Sequence, residues 1–294
     1  MSTTSTAEPS FALEQMEMFA FGLDHSEGIC LSPDGHLYLG GEAGQIYRIE
    51  DDDSITELLS TGGFMLGLAA DADGRIYAID NVAKCVWRID SETKQREVYA
   101  DGSPGGKFYV PNWGAFDAHG NYYLSDSGDW GETNGFLWKV RPGGEAEVWS
   151  RETTNFPNGL AVAPDGSKLY VLESNPSALV EIPIAADGSA GPRRELCTMG
   201  LAVPDGVALA DDGSLFIACY RPDAIYRWSP GDHLALYAQD PRGTVLSAPT
   251  NIVFAGDSLD EMVVPNLGRW HLTRWRAGVR GIPLHYPTRD QLGG

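Results

Sequence analysis

One short pattern recurs six times along this chain: an apolar run that ends in a tight acidic-glycine turn. The runs occupy residues 27–35, 66–74, 112–120, 158–166, 205–213 and 250–258. Their turn glycines, Gly35, Gly74, Gly120, Gly166 and Gly213, are spaced 39, 46, 46 and 47 residues apart, and Ser258 follows 45 residues later in a degenerate sixth copy. A repeat of about 40–50 residues with roughly four strands per unit is the signature of a β-propeller blade. Within the copies, the segments 45–49, 85–89, 136–140 and 224–228 alternate apolar and polar residues with period two, as half-buried strands do. The pattern predicts an all-β, six-bladed β-propeller with a central channel, forming a single domain over 13–294 behind a disordered tail over 1–12. No helix longer than a turn or two is expected. The segment 15–21 is predicted to pair with the last blade and so remove an exposed edge. The Asp-Gly turns themselves are hairpin punctuation and carry no chemistry.

Composition narrows the function classes. The chain carries 41 acidic and 21 basic residues, a net charge of −20, which disfavours phosphate-backbone partners that need clustered Lys and Arg. No window holds eighteen uninterrupted apolar residues, so no membrane span is expected. The first ten residues are polar, without a basic and then apolar leader pattern, and a cytoplasmic location is the default expectation. The four cysteines, Cys30, Cys85, Cys197 and Cys219, show no CxxC spacing and read as reduced, structural residues. A small-molecule partner is expected, with neither nucleic acid nor membrane, and a monomer or small homo-oligomer.

The residue that leads each run carries the functional signal. Aligned on the turn, these positions read Glu27, Leu66, Asn112, Asn158, Asp205 and Thr250. A propeller places equivalent residues around one axis, so four carboxylate or amide side chains converge on one end of the channel. Long polar loops lie at that same end, with Asp126, Asp129, Trp130, Glu173, Tyr220 and Arg221 among their members, whereas the other end carries only tight turns. Glu27, Asn112, Asn158 and Asp205 offer hard oxygen donors that suit Ca²⁺, Mg²⁺ or Mn²⁺. The plainer reading is that such side chains cap strand ends or bond neighbouring backbone. It explains any one of them, and explains four of six equivalent positions less well. Leu66 and Thr250 mark two blades that donate no ligand.

The runs Ser26-Glu27-Gly28, Pro157-Asn158-Gly159-Leu160-Ala161 and Pro204-Asp205-Gly206-Val207-Ala208 resemble the senescence marker protein-30/gluconolactonase family, and the resemblance spans roughly residues 19–287. The resemblance implies one divalent cation held by Glu27, Asn158 and Asp205, with Ca²⁺ foremost and Mn²⁺, Zn²⁺, Mg²⁺ or Fe²⁺ as alternatives, and no organic cofactor. It further implies that Asn112 faces the metal or its substrate, that the substrate is a lactone, and that Asp205 activates water. No Gly-x-Ser-x-Gly elbow is present to support a serine hydrolase. One departure stands out. Sugar-lactonase members carry Arg-x-Asn-Asp-Gly at the third blade, and this chain has Val110-Pro111-Asn112-Trp113-Gly114. The missing Arg and Asp point away from a sugar and toward a more apolar ring. Trp113, Trp130 and Phe108 are candidate stacking surfaces for it, and Tyr220 joins Asn112, Trp113 and Trp130 as a substrate-binding candidate. His25 lies at the site end, two residues before Glu27, and His271 reads as structural. A metal-dependent lyase or isomerase on a lactone-like or phenolic molecule remains a second reading, and a non-catalytic ligand-binding propeller a third.

Overall fold

The computed structural model describes residues 8–231 and 233–293. It is an all-β molecule, 48% strand, arranged as a six-bladed β-propeller. Blades one to five are four-stranded antiparallel sheets over residues 29–60, 65–100, 111–150, 157–198 and 203–239. The sixth combines strands from 253–276 with Glu17–Phe19 from the start of the chain. Blades one to five run outward from the channel in sequence order, and blade six has Glu17–Phe19 as its outermost strand. The turn after each innermost strand needs a left-handed residue, and the five predicted glycines supply it at φ between 68 and 88°. No helix among the described residues is long and apolar enough to cross a membrane.

The core is divided among the blade interfaces. Six buried clusters lie between adjacent sheets, because each sheet must cover both of its apolar faces. Between blades two and three, Tyr77 is fully buried and meets Tyr99 and Phe116 edge-on, with both ring centroids at 4.9 Å. Edge-to-face contacts of this kind add about 0.5–1.5 kcal/mol beyond area burial. Cys30, Cys85 and Cys219 are buried, Cys197 is half-buried, and none is in a disulfide.

The two ends of the chain fasten the ring at different places. Glu17–Phe19 pairs with the outermost strand of blade six, Glu17 opposite Arg274 and Phe19 opposite Leu272, as the sequence suggested. Arg274 ties this closure further by ion pairs to Glu17 and to Asp53 of blade one. Of the tail expected over 1–12, residues 1–7 lie outside the described residues. Ser10 and Phe11 are not a loose tail: their N–H groups donate to the carbonyls of Leu236 and Tyr237, and the Phe11 ring stacks on Tyr237 at 5.2 Å. The C-terminal segment crosses the turn end of the propeller. It bonds Leu209 through Ile282 N–H, Leu31 through the Tyr286 hydroxyl, and Ala72 N–H through the Pro287 carbonyl. It ends with Leu292 buried between blades two and three.

Candidate metal centre

The leading positions of blades two to five lie where the inner ladder breaks. Register shifts occur between Met65 and Leu68, Pro111 and Trp113, Pro157 and Leu160, and Pro204 and Val207. A bulge frees a residue from pairing and re-aims its side chain. In this chain Asn112, Asn158 and Asp205 are among the residues left out of the ladder at these breaks. The glycine that follows lets the blades crowd together. A Cβ on Gly28 would stand 1.7 Å from the Leu66 carbonyl oxygen, and one on Gly159 would stand 2.3 Å from that of Asp205. No side chain fits in either place, so each leading residue abuts the backbone of the next blade.

Asn112, Asn158 and Asp205 are 5%, 5% and 7% exposed, and the Oδ1 atom of each is buried without a hydrogen-bond partner. Buried oxygens left unpaired cost free energy, so three at one repeat position call for a partner of another kind. The amides are not loosely placed. Asn112 Nδ2 donates to Ser127 Oγ at 3.0 Å, and that hydroxyl donates to the Pro157 carbonyl at 2.7 Å. One blade on, Asn158 Nδ2 donates to Ser174 Oγ at 3.4 Å, which donates to the Pro204 carbonyl at 2.6 Å. Each serine thus fixes the amide nitrogen and leaves its oxygen facing away.

Glu27 is half-buried beside these residues, and Thr250 Oγ1 steadies it by donating to its backbone carbonyl at 2.9 Å. Burial raises the Glu27 carboxyl well above its usual range, and the charges of Asp205 and Glu42 raise it further. Burial also pushes Asp205 up to about 8, opposed by the Asn158 side chain beside it. Two carboxyl groups that resist ionisation, next to amide oxygens with no donors, form a donor set that fits a hard cation.

The remaining sequence candidates separate. Leu66 packs in the apolar core between blades two and three. Trp113 is almost buried, and its ring extends from blade three toward Gly206 of blade five. Trp130 is 56% exposed at the site end, edge-on to Phe156 at 5.0 Å. Tyr220 is half-buried beneath the Arg221 guanidinium, 4.5 Å from its ring centroid. Phe108 is not a stacking surface: it is 2% exposed and packs against Trp138 inside blade three. Asp126 is an organising residue. Its carboxylate accepts from Tyr109 N–H, Val110 N–H and the Trp138 indole, which holds the loop leading to Asn112. His25 stands 3.0 Å from Glu42, the carboxylate whose charge also raises Glu27. His271 is buried against the Val245 carbonyl. Ser127, Ser174 and Phe156 were not visible as site residues. The two serines stand 15 and 16 residues after their asparagines, so aligning the repeats would have found them.

Residues 37–266 match the SMP-30/gluconolactonase/LRE-like region. The chain belongs to this family. It is 29% identical over 197 residues, 60% of its length, to a gluconolactonase of Zymomonas mobilis, and spans 54% of that relative. Solved family structures share the fold. A gluconolactonase from Xanthomonas campestris has a TM-score of 0.76 at 17% identity, covering 96% of this chain and 99% of that one. Regucalcin, a calcium-binding protein from Agrobacterium tumefaciens, has a TM-score of 0.75 at 16% identity, covering 92% and 95%.

Proposed function

We propose that the protein is a divalent-cation-dependent hydrolase that opens a cyclic ester. The observation that carries this reading is the trio of buried, unpartnered oxygens on Asn112, Asn158 and Asp205 beside the Glu27 carboxyl. Glu27, Asn158 and Asp205 would hold the cation, with Asn112 facing it or the substrate. A bound divalent cation supplies Lewis acidity that polarises the ester carbonyl and stabilises negative charge on its oxygen. Ca²⁺ is favoured because all four donors are oxygens and because a structural relative is described as calcium-binding.

The chain's own chemistry centres on Asp205. Without a cation its carboxyl is pushed up to about 8 by burial; a bound cation would favour the ionised form, which is the form that accepts a proton. It takes a proton from water as the water oxygen bonds to the carbonyl carbon. The ring C–O bond then breaks, and Asp205 returns the proton to the departing alkoxide, which gives a hydroxy acid. Membership in a family that includes gluconolactonases supports the reaction class, and the Val110-Trp113 departure supports a ring less polar than a sugar.

The test uses purified protein with Ca²⁺, Mn²⁺, Zn²⁺ or no metal, and γ- and δ-lactones in a proton-release assay. Hydrolysis that requires a cation and disappears in Asp205→Asn is the expected result. Metal-independent hydrolysis would overturn the site assignment. Substrate consumed without acid would move the protein to a lyase or isomerase.

A further inference from the structure

Below the leading residues the channel continues as a cavity of about 420 Å³, lined by Leu31, Leu68, Leu160, Val162, Val207 and Val253 among others. The C-terminal segment, through Ile282 to Tyr286, lines its lower end. The cavity stops short of Glu27, Asn112, Asn158 and Asp205. In blades one, two, four and five its wall begins two residues past the leading position, at Ile29, Leu68, Leu160 and Val207. In blades three and six it begins one residue past, at Trp113 and Asn251.

A single layer therefore separates the oxygen-lined mouth from the apolar chamber. Around the ring that layer reads Gly28, Gly67, Trp113, Gly159, Gly206 and Asn251. Four of the six positions have no side chain, and the largest side chain available occupies one of the remaining two. The Trp113 indole reaches past blade four: it packs with Leu160 and Val162, and its Cη2 atom would lie 2.9 Å from a Cβ on Gly206. Gly206 is confined twice, since that same Cβ would also lie 2.5 Å from the Thr250 carbonyl oxygen. At each of the four glycines the place of a side chain is taken by the backbone of the next blade, and the one large side chain of the layer, the Trp113 indole, reaches from blade three to Gly206 of blade five.

We propose that Trp113 is the floor of the candidate metal centre and sets the size of the substrate. The site takes a compact lactone whose ring rests on the indole and whose substituents do not run down the axis. This inference rests on the lactone reading for its substrate and on geometry alone for the partition.

The test replaces Trp113 with Gly, the residue four other blades use, with Leu as a milder opening and with Phe to keep a floor. Two measurements are made on the Ca²⁺-loaded full chain. The first is kcat/KM over γ-lactones bearing alkyl chains from methyl to hexyl. The second is binding of the neutral apolar dye N-phenyl-1-naphthylamine. Wild type and Trp113→Phe should favour the short-chain lactones and leave the dye unbound. Trp113→Gly should shift the long-to-short ratio by about tenfold or more and bind dye in the opened chamber, with Trp113→Leu between. Ca²⁺ affinity should change little, because no ligand is touched. An unchanged ratio together with no added dye binding in folded Trp113→Gly or Trp113→Leu overturns the floor. If no variant, wild type included, opens any lactone, the lactone reading fails on its own, and the dye result still decides the partition.

Discussion

The two halves of the axial channel are made by the same inner strands, yet one is lined by oxygens and the other by hydrocarbon. The difference lies in the backbone. At the mouth the ladders bulge, so Asn112, Asn158 and Asp205 escape the alternation of the sheet. Below, pairing is regular: Leu160, Ala161 and Val162 face Val171, Tyr170 and Leu169 in register. Regular pairing sends successive side chains to the two faces of the blade, Leu160 and Val162 toward blade three and Ala161 toward blade five, and the residues that border the cavity there are mostly apolar. At Asn112, Asn158 and Asp205 the polar residue coincides with an irregularity, and each of the three follows a proline at the break in the ladder.

The comparison can be broken most forcefully at Asp205. Asp205→Asn is expected to lower kcat/KM by about 10³-fold, the range of a positioned general base, measured by proton release. The same change should raise the melting temperature of chelator-treated protein at pH 8, because a buried, ionisation-resistant carboxyl is gone. A variant that lost activity and stability together would mark Asp205 as structural.

The matching change below the floor is Leu160→Ala. Leu160 is 1% exposed between blades three and four, and truncation should cost about 2–5 kcal/mol in denaturant unfolding. Cation affinity should stay within about twofold, because Leu160 is no ligand. A large loss of affinity would show that the two halves are not independent.

pH sharpens the contrast. Asp205 ordinarily ionises near 3.8 and in the fold near 8, so the folded chain holds the proton more tightly than the unfolded one. Without a cation, stability should fall as pH rises from about 4 to about 8, by at most about 1.4 kcal/mol per pH unit for one group. A saturating divalent cation should flatten that slope, since binding requires the ionised form. Unfolding at pH 5 and pH 8, with Ca²⁺ and with chelator, measures both. Equal slopes would remove the cation from the site.

Smaller effects test the supports. Ser174→Ala leaves the Asn158 amide and the Pro204 carbonyl without their shared partner, and should weaken cation affinity about tenfold, as loss of an outer support does. Calorimetric titration measures it, and an unchanged affinity would deny the serine its role. At the far end of the channel, Tyr286→Phe removes one hydrogen bond to Leu31 and should cost only about 1 kcal/mol of stability, with turnover unaltered.

Much of this was legible in the sequence, for a physical reason. Turn glycines and leading residues recur because each blade solves the same local problem, so Gly35 through Gly213 announced the fold, and Glu27, Asn112, Asn158 and Asp205 announced a common mouth. What local pattern could not show was contact across blades. Phe108 looked like a free aromatic and is enclosed by Trp138. Trp113 read as a stacking surface, while its reach to Gly206 depends on the ring being closed. The C-terminal segment belongs to no repeat, so nothing in the period hinted that it lies across the turn end.

The strand Glu17–Phe19 carries one more consequence. Its bond to Arg274 joins residues 257 apart, nearly the whole described chain. A chain emerging from the ribosome can assemble its early blades in order, yet the N-terminal strand must wait for the last blade to be synthesised. Loop closure over such a span is slow. Ring completion therefore follows synthesis of the last blade, and until then the unpaired edges are open to the wrong neighbour.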